Sequence, residues 1–163
     1  MKWCRFQAED KTAYGIIEGD TWYYDLSDLG YVDDPVLRHL TGCDGLFFES
    51  NHDLDMLRMG TYPWSLKRRI MSRFGHLSND DAMLAVQRMI GADLKTLCLI
   101  HLSQKNNHES IVRDMATQLL RKTGAQLELS IARQFEPTGM FDIKRRGAPR
   151  PPAPARQAQL ALF

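Results

Sequence analysis

The sequence predicts an α/β protein, and three observations carry that prediction. Short apolar runs at 45–49 and 96–100 are bounded by polar residues, as in buried strands. Between and after them lie stretches with helical spacing, of which Met83, Leu84, Val86, Met89 and Ile90 form the clearest. Helix punctuation stands where the alternation needs it: Pro35 after Asp33 and Asp34, Ser78 before Asn79-Asp80-Asp81, and Gly124 at the end of an amphipathic stretch. Strands alternating with helices are the pattern of an α/β sheet.

In chain order, residues 2–8 and 13–18 read as strands around the turn Glu9-Asp10-Lys11, and 21–24, Thr-Trp-Tyr-Tyr, as a third, aromatic strand. This opening is a small antiparallel meander. Pro35 starts a helix to about Leu40, ended by Thr41-Gly42, and 45–49 is a buried strand. A segment rich in Arg, Lys and Met follows, with helices expected at 54–59 and 64–73 on either side of Gly60 and Pro63. A helix capped at Ser78 closes at Gly91. Residues 96–100 form a strand, 109–122 a helix and 126–131 an alternating strand. From about Lys144 the composition changes: four of the seven prolines fall between 149 and 154, which is a tail with no need to pack.

Bulk composition excludes several classes. With 163 residues the chain can build one domain with its own core. A net charge of +1 gives no global field for nucleic acid, so a polyanion contact needs a local patch. The best candidate patch is 64–73, with Lys67, Arg68, Arg69 and Arg73 behind Trp64; it is either a solvated helix face or a phosphate contact. Cys4, Cys43 and Cys98 are odd in number and scattered, which predicts free thiols and a cytoplasmic location. No apolar stretch approaches the length of a membrane span, so no membrane partner is expected.

The chemistry should gather at one edge. Three polar clusters follow apolar runs: Tyr23–Gly30, Glu49-Ser50-Asn51-His52-Asp53, and His101-Leu102-Ser103-Gln104-Lys105-Asn106-Asn107. If the strands are parallel, these clusters share the carboxyl edge, where open α/β sheets bind ligands. Aspartate and histidine converging there suit zinc or manganese. Plainer roles stand beside this one: Asp28 as a turn or cap residue, Glu49 as a cap of the next helix, and each histidine as a hydrogen-bonded structural group.

The motifs SDLGYV, ESNHD, YPWSLKRRI, GHLSN and HLSQKNN, with the ending QFEPTGMFDI, together resemble the C-terminal half of a metallo-β-lactamase-fold hydrolase. The subgroup they resemble contains phosphodiesterases and DNA exonucleases. The resemblance implies half of an αββα sandwich, a mixed sheet with flanking helices, over 21–143. It also implies two metal ions (zinc or manganese) and DNA or another phosphodiester as substrate. It assigns Asp28 to the carboxylate that bridges the metals and His101 to the last histidine ligand. His76 falls where a scissile phosphate is contacted, with Asn51 and His52 as supporting or substrate-edge groups. The family's HxHxDH motif has no counterpart here, which implies a chain inactive by itself, needing a second copy or a complementing half-domain. Residues 1–20 resemble the N-terminal region of the fumarylacetoacetate hydrolase family, which implies a fused β-hairpin. Residues 144–163 end in Gln159-Leu160-Ala161-Leu162-Phe163, similar to the bacterial sliding-clamp-binding peptide; there Gln159, Leu160, Leu162 and Phe163 would dock while the chain acts as a non-catalytic binding module.

Overall fold

The computed structural model describes the main chain of residues 2–8, 11–18 and 21–26, and residues 29–91 and 93–135 in full apart from the His39 side chain. Six strands form one sheet in sequence order: β1 (Lys2–Ala8), β2 (Lys11–Glu18), β3 (Thr21–Leu26), β4 (Gly45–Glu49), β5 (Thr96–Ile100) and β6 (Glu128–Ile131). The first three pair antiparallel, as the meander predicts, while β3 to β6 run parallel. Register places Leu26 beside Phe48 and Glu49 beside Ile100, so the carboxyl ends of β3, β4 and β5 share one edge.

Parallel strands buried on both faces read as unbroken apolar runs. That holds here, with Leu46, Phe48, Leu97, Cys98 and Leu99 fully buried. Leu46, Phe48, Leu97 and Leu99 join the helical core, while Cys98, out of phase by one residue, does not belong to that cluster. Burial pushes the Cys43 thiol up to about 12 and the Cys98 thiol up to about 11, so neither is a reactive thiolate at neutral pH.

Three helices supply the facing layer: α1 (Asp34–Leu40), α4 (Asn79–Met89) and α5 (Glu109–Thr123), with α4 touching both of the others. Their apolar faces carry Val36, Leu37 and Leu40; Ala82, Val86 and Met89; and Val112, Ala116 and Leu119. The caps follow the sequence signals. Asp33 accepts from the Val36 amide at 3.0 Å and Ser78 from the Asp81 amide at 3.1 Å, and α5 ends at Gly124 in the left-handed region. The cap of α5 is His108, which accepts from the Ser110 amide; histidine is a rare cap, so no local pattern marks it.

Boundaries differ from expectation in three places. Helix α3 (Trp64–Ile70) stops short of Arg73, because the returning chain takes its last carbonyls: the His76 amide donates to Ile70 and the Ser72 hydroxyl to Arg69. Helix α4 is capped at Ile90, one residue before Gly91. Strand β6 begins at Glu128, not Gln126. The short helix α2 (Leu54–Met59) is capped by Asp53, whose carboxylate accepts from the Met56 amide at 2.8 Å. Glu49 is therefore not the cap and is left for other work.

Lys67 corrects the simplest view of the basic segment. It is buried, and its Nζ donates at 2.6 Å to the carbonyls of Arg58 and Gly60, at the C-terminal end of α2. It is a strut between α2 and α3, whereas Arg68, Arg69 and Arg73 are exposed.

Candidate metal and phosphodiester site

Glu49 closes β4 with its carboxylate fully buried. Its Oε1 accepts from Nδ1 of His76 at 2.8 Å and from Nδ1 of His101 at 2.9 Å. Its Oε2 accepts from the Leu29 amide at 2.6 Å, with the Leu77 amide at 3.5 Å. Burial pushes this carboxyl up, but the hydrogen bonds from His101 and His76, together with the Leu29 amide, outweigh it and hold the group below the usual carboxylate value. Glu49 is thus an anion serving only as acceptor.

The protonation pattern of the two imidazoles follows. An ionised carboxylate oxygen that meets two Nδ1 atoms at these distances requires both to carry hydrogen. In the neutral rings the lone pair then sits on Nε2 of each. The two rings lie edge to face, centroids 5.0 Å apart, and both side chains are partly exposed. A carboxylate that fixes Nδ1–H is the arrangement by which proteins orient histidines toward a metal. Glu49, His76 and His101 form the metal-capable group found among the described residues, with ligand atoms within 4.8 Å of one another. The donor set fits zinc or manganese, with two imidazole nitrogens oriented by an anion. The Nδ1-to-oxygen distances are hydrogen-bond lengths, so Glu49 acts on the histidines through their Nδ1 atoms.

His101 follows β5 with φ of 62°, a left-handed conformation that side chains other than glycine seldom adopt. Asn51 restrains it: its Nδ2 donates to the His101 carbonyl at 2.8 Å. Asn51 is therefore a positioning group for His101. His52 is also buried, but neither ring nitrogen has a hydrogen-bond partner among the described residues. Desolvation, reinforced by His76, pushes its pKa down and keeps the ring neutral. Its main chain links the site loops, pairing with Ser78 and accepting from the Asn79 amide at 2.8 Å.

Beneath these loops lies a buried amide lattice. Asn79 and Asn107 exchange reciprocal side-chain hydrogen bonds at 2.9 Å, and Ser50 donates to Asn79 at 2.8 Å. Nδ2 of Asn107 also lies 2.9 Å from the carbonyls of Ser50 and Asn51.

His76, His101 and Asn51 are thus brought together, with His52 alongside. Glu49 is the functional residue that the sequence reading placed in a polar cluster but did not assign. The available signal was an acid as the last residue of an otherwise apolar buried strand. Asp28, Gln159, Leu160, Leu162 and Phe163 lie outside the described residues, though Leu29, next to Asp28 in sequence, reaches Glu49 through its amide.

Comparison with solved structures decides the fold. The chain superposes on YhfI of Bacillus subtilis, a metallo-β-lactamase fold protein, with a TM-score of 0.51 and 19% identity, over 80% of this chain and 46% of that one. The chain is half of a metallo-β-lactamase fold. The Zn(2+)-bound PqqB of Methylobacterium extorquens matches the same half-fold with a TM-score of 0.51 and 16% identity, over 80% of this chain and 43% of that one. By sequence, the half-fold is 46% identical over 99 residues to exodeoxyribonuclease YycJ of Bacillus anthracis, covering 61% of this chain and 38% of the relative. It is 37% identical over 123 residues to exodeoxyribonuclease WalJ of Streptococcus pneumoniae, covering 76% and 44%. The chain therefore spans less than half the length of these curated relatives. Residues 1–24 match a separate family model described as Rv2993c-like, N-terminal. The resemblance to fumarylacetoacetate hydrolases expected for residues 1–20 is not confirmed. Among the described residues no helix is long and apolar enough to cross a membrane.

Proposed function

We propose that this half-fold carries the Glu49–His76–His101 portion of a divalent-metal phosphodiesterase of the exodeoxyribonuclease type, with the remaining ligands supplied by a complementing half. The observation that carries it is the single buried carboxylate oxygen holding Nδ1 of both histidines, in a chain similar to two exodeoxyribonucleases. His101 would be a metal ligand through Nε2, and Asp28, next to the Leu29 amide that Glu49 binds, a second ligand. Zinc or manganese would supply Lewis acidity and an activated water. Glu49 keeps both rings oriented, and Asn51 holds the strained His101 backbone. With Nδ1–H held by Glu49, Nε2 of His76 would serve as an acceptor, able to take a proton from a water attacking the phosphodiester. Residues 1–20 are a hairpin from another family joined to 21–143, a reading supported by the separate model match at the N-terminus.

Complementation tests this. Mixed with the HxHxDH-bearing half of a full-length relative, the chain should give manganese- or zinc-dependent hydrolysis of DNA ends. His101→Ala or Asp28→Ala should lower it by at least about 100-fold. Association of the halves without hydrolysis, or hydrolysis indifferent to both variants, refutes the assignment.

A second reading rests on the C-terminal QLALF, a glutamine and apolar anchors beyond a proline-rich stretch. In it the chain is a non-catalytic module on the bacterial sliding clamp. Deleting 159–163 should then abolish retention on immobilised clamp; undiminished retention excludes it.

A further inference from the structure

Residues 58–73 contain five cations and no carboxylate, in a chain whose net charge is only +1. Lys67 is consumed as a strut, but Arg68, Arg69 and Arg73 are exposed, and so are large apolar rings: Phe74 at 83% and Trp64 at 59%. The guanidinium of Arg73 lies 5.3 Å from the centroid of Tyr31 and 5.2 Å from that of Phe74. Exposed aromatic rings interleaved with arginines that form no ion pair among the described residues are what a flexible polyanion with π-faces needs, and a folded core does not.

The position of this patch gives it a purpose. A side chain at Gly30 would collide with the Arg73 main chain, and one at Gly75 with the Ile70 carbonyl, so both approaches are as close as backbones allow. The Gly75 amide donates to Ser72 at 2.8 Å and the His76 amide to Ile70 at 2.9 Å. Two residues beyond the patch on each side, Leu29 and His76 hydrogen-bond to Glu49. The aromatic and cationic groups are therefore locked to the candidate site.

We infer that the Tyr31–Arg73–Phe74 stack, flanked by Arg68, Arg69 and Trp64, is a platform for single-stranded nucleic acid, on which bases stack while the arginines hold phosphates and the strand leads to His76. The surface stands on its own geometry and rests on the phosphodiesterase reading only for what happens to the strand once bound. Stacking on rings favours unpaired bases, because duplex bases present no free faces.

Fluorescence anisotropy tests it with a labelled oligo-dT about 20 nucleotides long and a duplex of similar length, in EDTA so that nothing is cut. Single strand should bind at least about five-fold more tightly than duplex. Phe74→Ala and Phe74→Leu should each weaken it by roughly 5- to 50-fold, and Phe74→Trp should retain it. Arg68→Ala and Arg69→Ala should each flatten the log-salt slope by about 0.7. Equal affinity for strand and duplex, or a Phe74→Leu variant that binds like the parent, overturns the platform. So does self-association of the chain that Phe74→Ala abolishes while nucleic acid goes unbound. The complementation assay is separate: if hydrolysis never appears while these shifts do, the hydrolase assignment falls and the platform stands.

Discussion

Glu49→Gln should cost about 3 kcal/mol of folding stability and weaken metal affinity of the assembled site by roughly 10- to 100-fold. The wild-type carboxylate has donors on both oxygens: two imidazole Nδ1–H groups on Oε1 and the Leu29 amide on Oε2. Glutamine keeps one acceptor and turns the other into a donor. Whichever way the amide points, an N–H faces either the Leu29 amide or both histidines. Like donors then stand together in a buried site, and the histidines face either an N–H or a neutral carbonyl oxygen, which holds hydrogen on Nδ1 less strongly than the carboxylate does. The pH dependence gives an independent check. Glu49 is held below the ordinary glutamate value of 4.5, so in the folded protein it binds its proton less readily than in the unfolded chain. Its contribution is complete above about pH 4.5 and is lost as the pH falls through the lower folded value. Chemical denaturation of the parent across that range should show the loss, and Glu49→Gln should lack that component. Had burial prevailed over the hydrogen bonds, the sign would reverse and acidification would favour folding through this group. A glutamine variant as stable as the parent, with the same acid profile and metal affinity, would remove Glu49 from the centre of the site.

Local signals made much of the fold legible in the sequence. The strands at 45–49 and 96–100 were bounded by polarity, and the caps Asp33 and Ser78 were bounded by their own hydrogen-bonding chemistry; both act within a few residues. His101 was legible because polar residues after buried strands meet at a sheet edge, whereas His76, in the loop between α3 and α4, was legible only through the family resemblance of GHLSN. Glu49 was harder to assign, because an acid shortly before a helix looks like a cap until Asp53 is seen to fill that place. Its partners lie 27 and 52 residues away in sequence, beyond any periodic pattern. The end of α3 was missed for a different reason: residues 66, 69, 70 and 73 would share one side of a helix, but the chain turns back within six residues and the His76 amide takes the Ile70 carbonyl. The platform was half visible, as a basic segment with an aromatic lead. That Lys67 would turn inward, and that Tyr31 would come to lie beside Arg73, depended on packing.

Asn107→Ala should be the most damaging substitution outside the site, destabilising the protein by about 3–5 kcal/mol. One buried side chain shares the two hydrogens of its Nδ2 among the Asn79 Oδ1 and the Ser50 and Asn51 carbonyls, and its Oδ1 accepts from Asn79 Nδ2 and from the His108 amide at 2.9 Å. Alanine would leave both groups of the Asn79 amide short of a partner and two main-chain carbonyls without this donor, each in a place water reaches poorly. The damage should not stay local. Ser50 and Asn51 belong to the loop between Glu49 and His52, and Asn51 holds the His101 carbonyl, so loosening this loop frees the strained residue that carries the imidazole. Urea unfolding of Asn107→Ala should therefore show the stability loss, and amides at 50–53, 77–79 and 101–107 should exchange hydrogen faster than those of β4 and β5. Asn107→Asp keeps the shape and the acceptor but removes the donors, and it should be at least as damaging, because a carboxylate would face the Ser50 and Asn51 carbonyls. If the aspartate variant instead matches the parent in both stability and exchange, the lattice does not hold the site loops together.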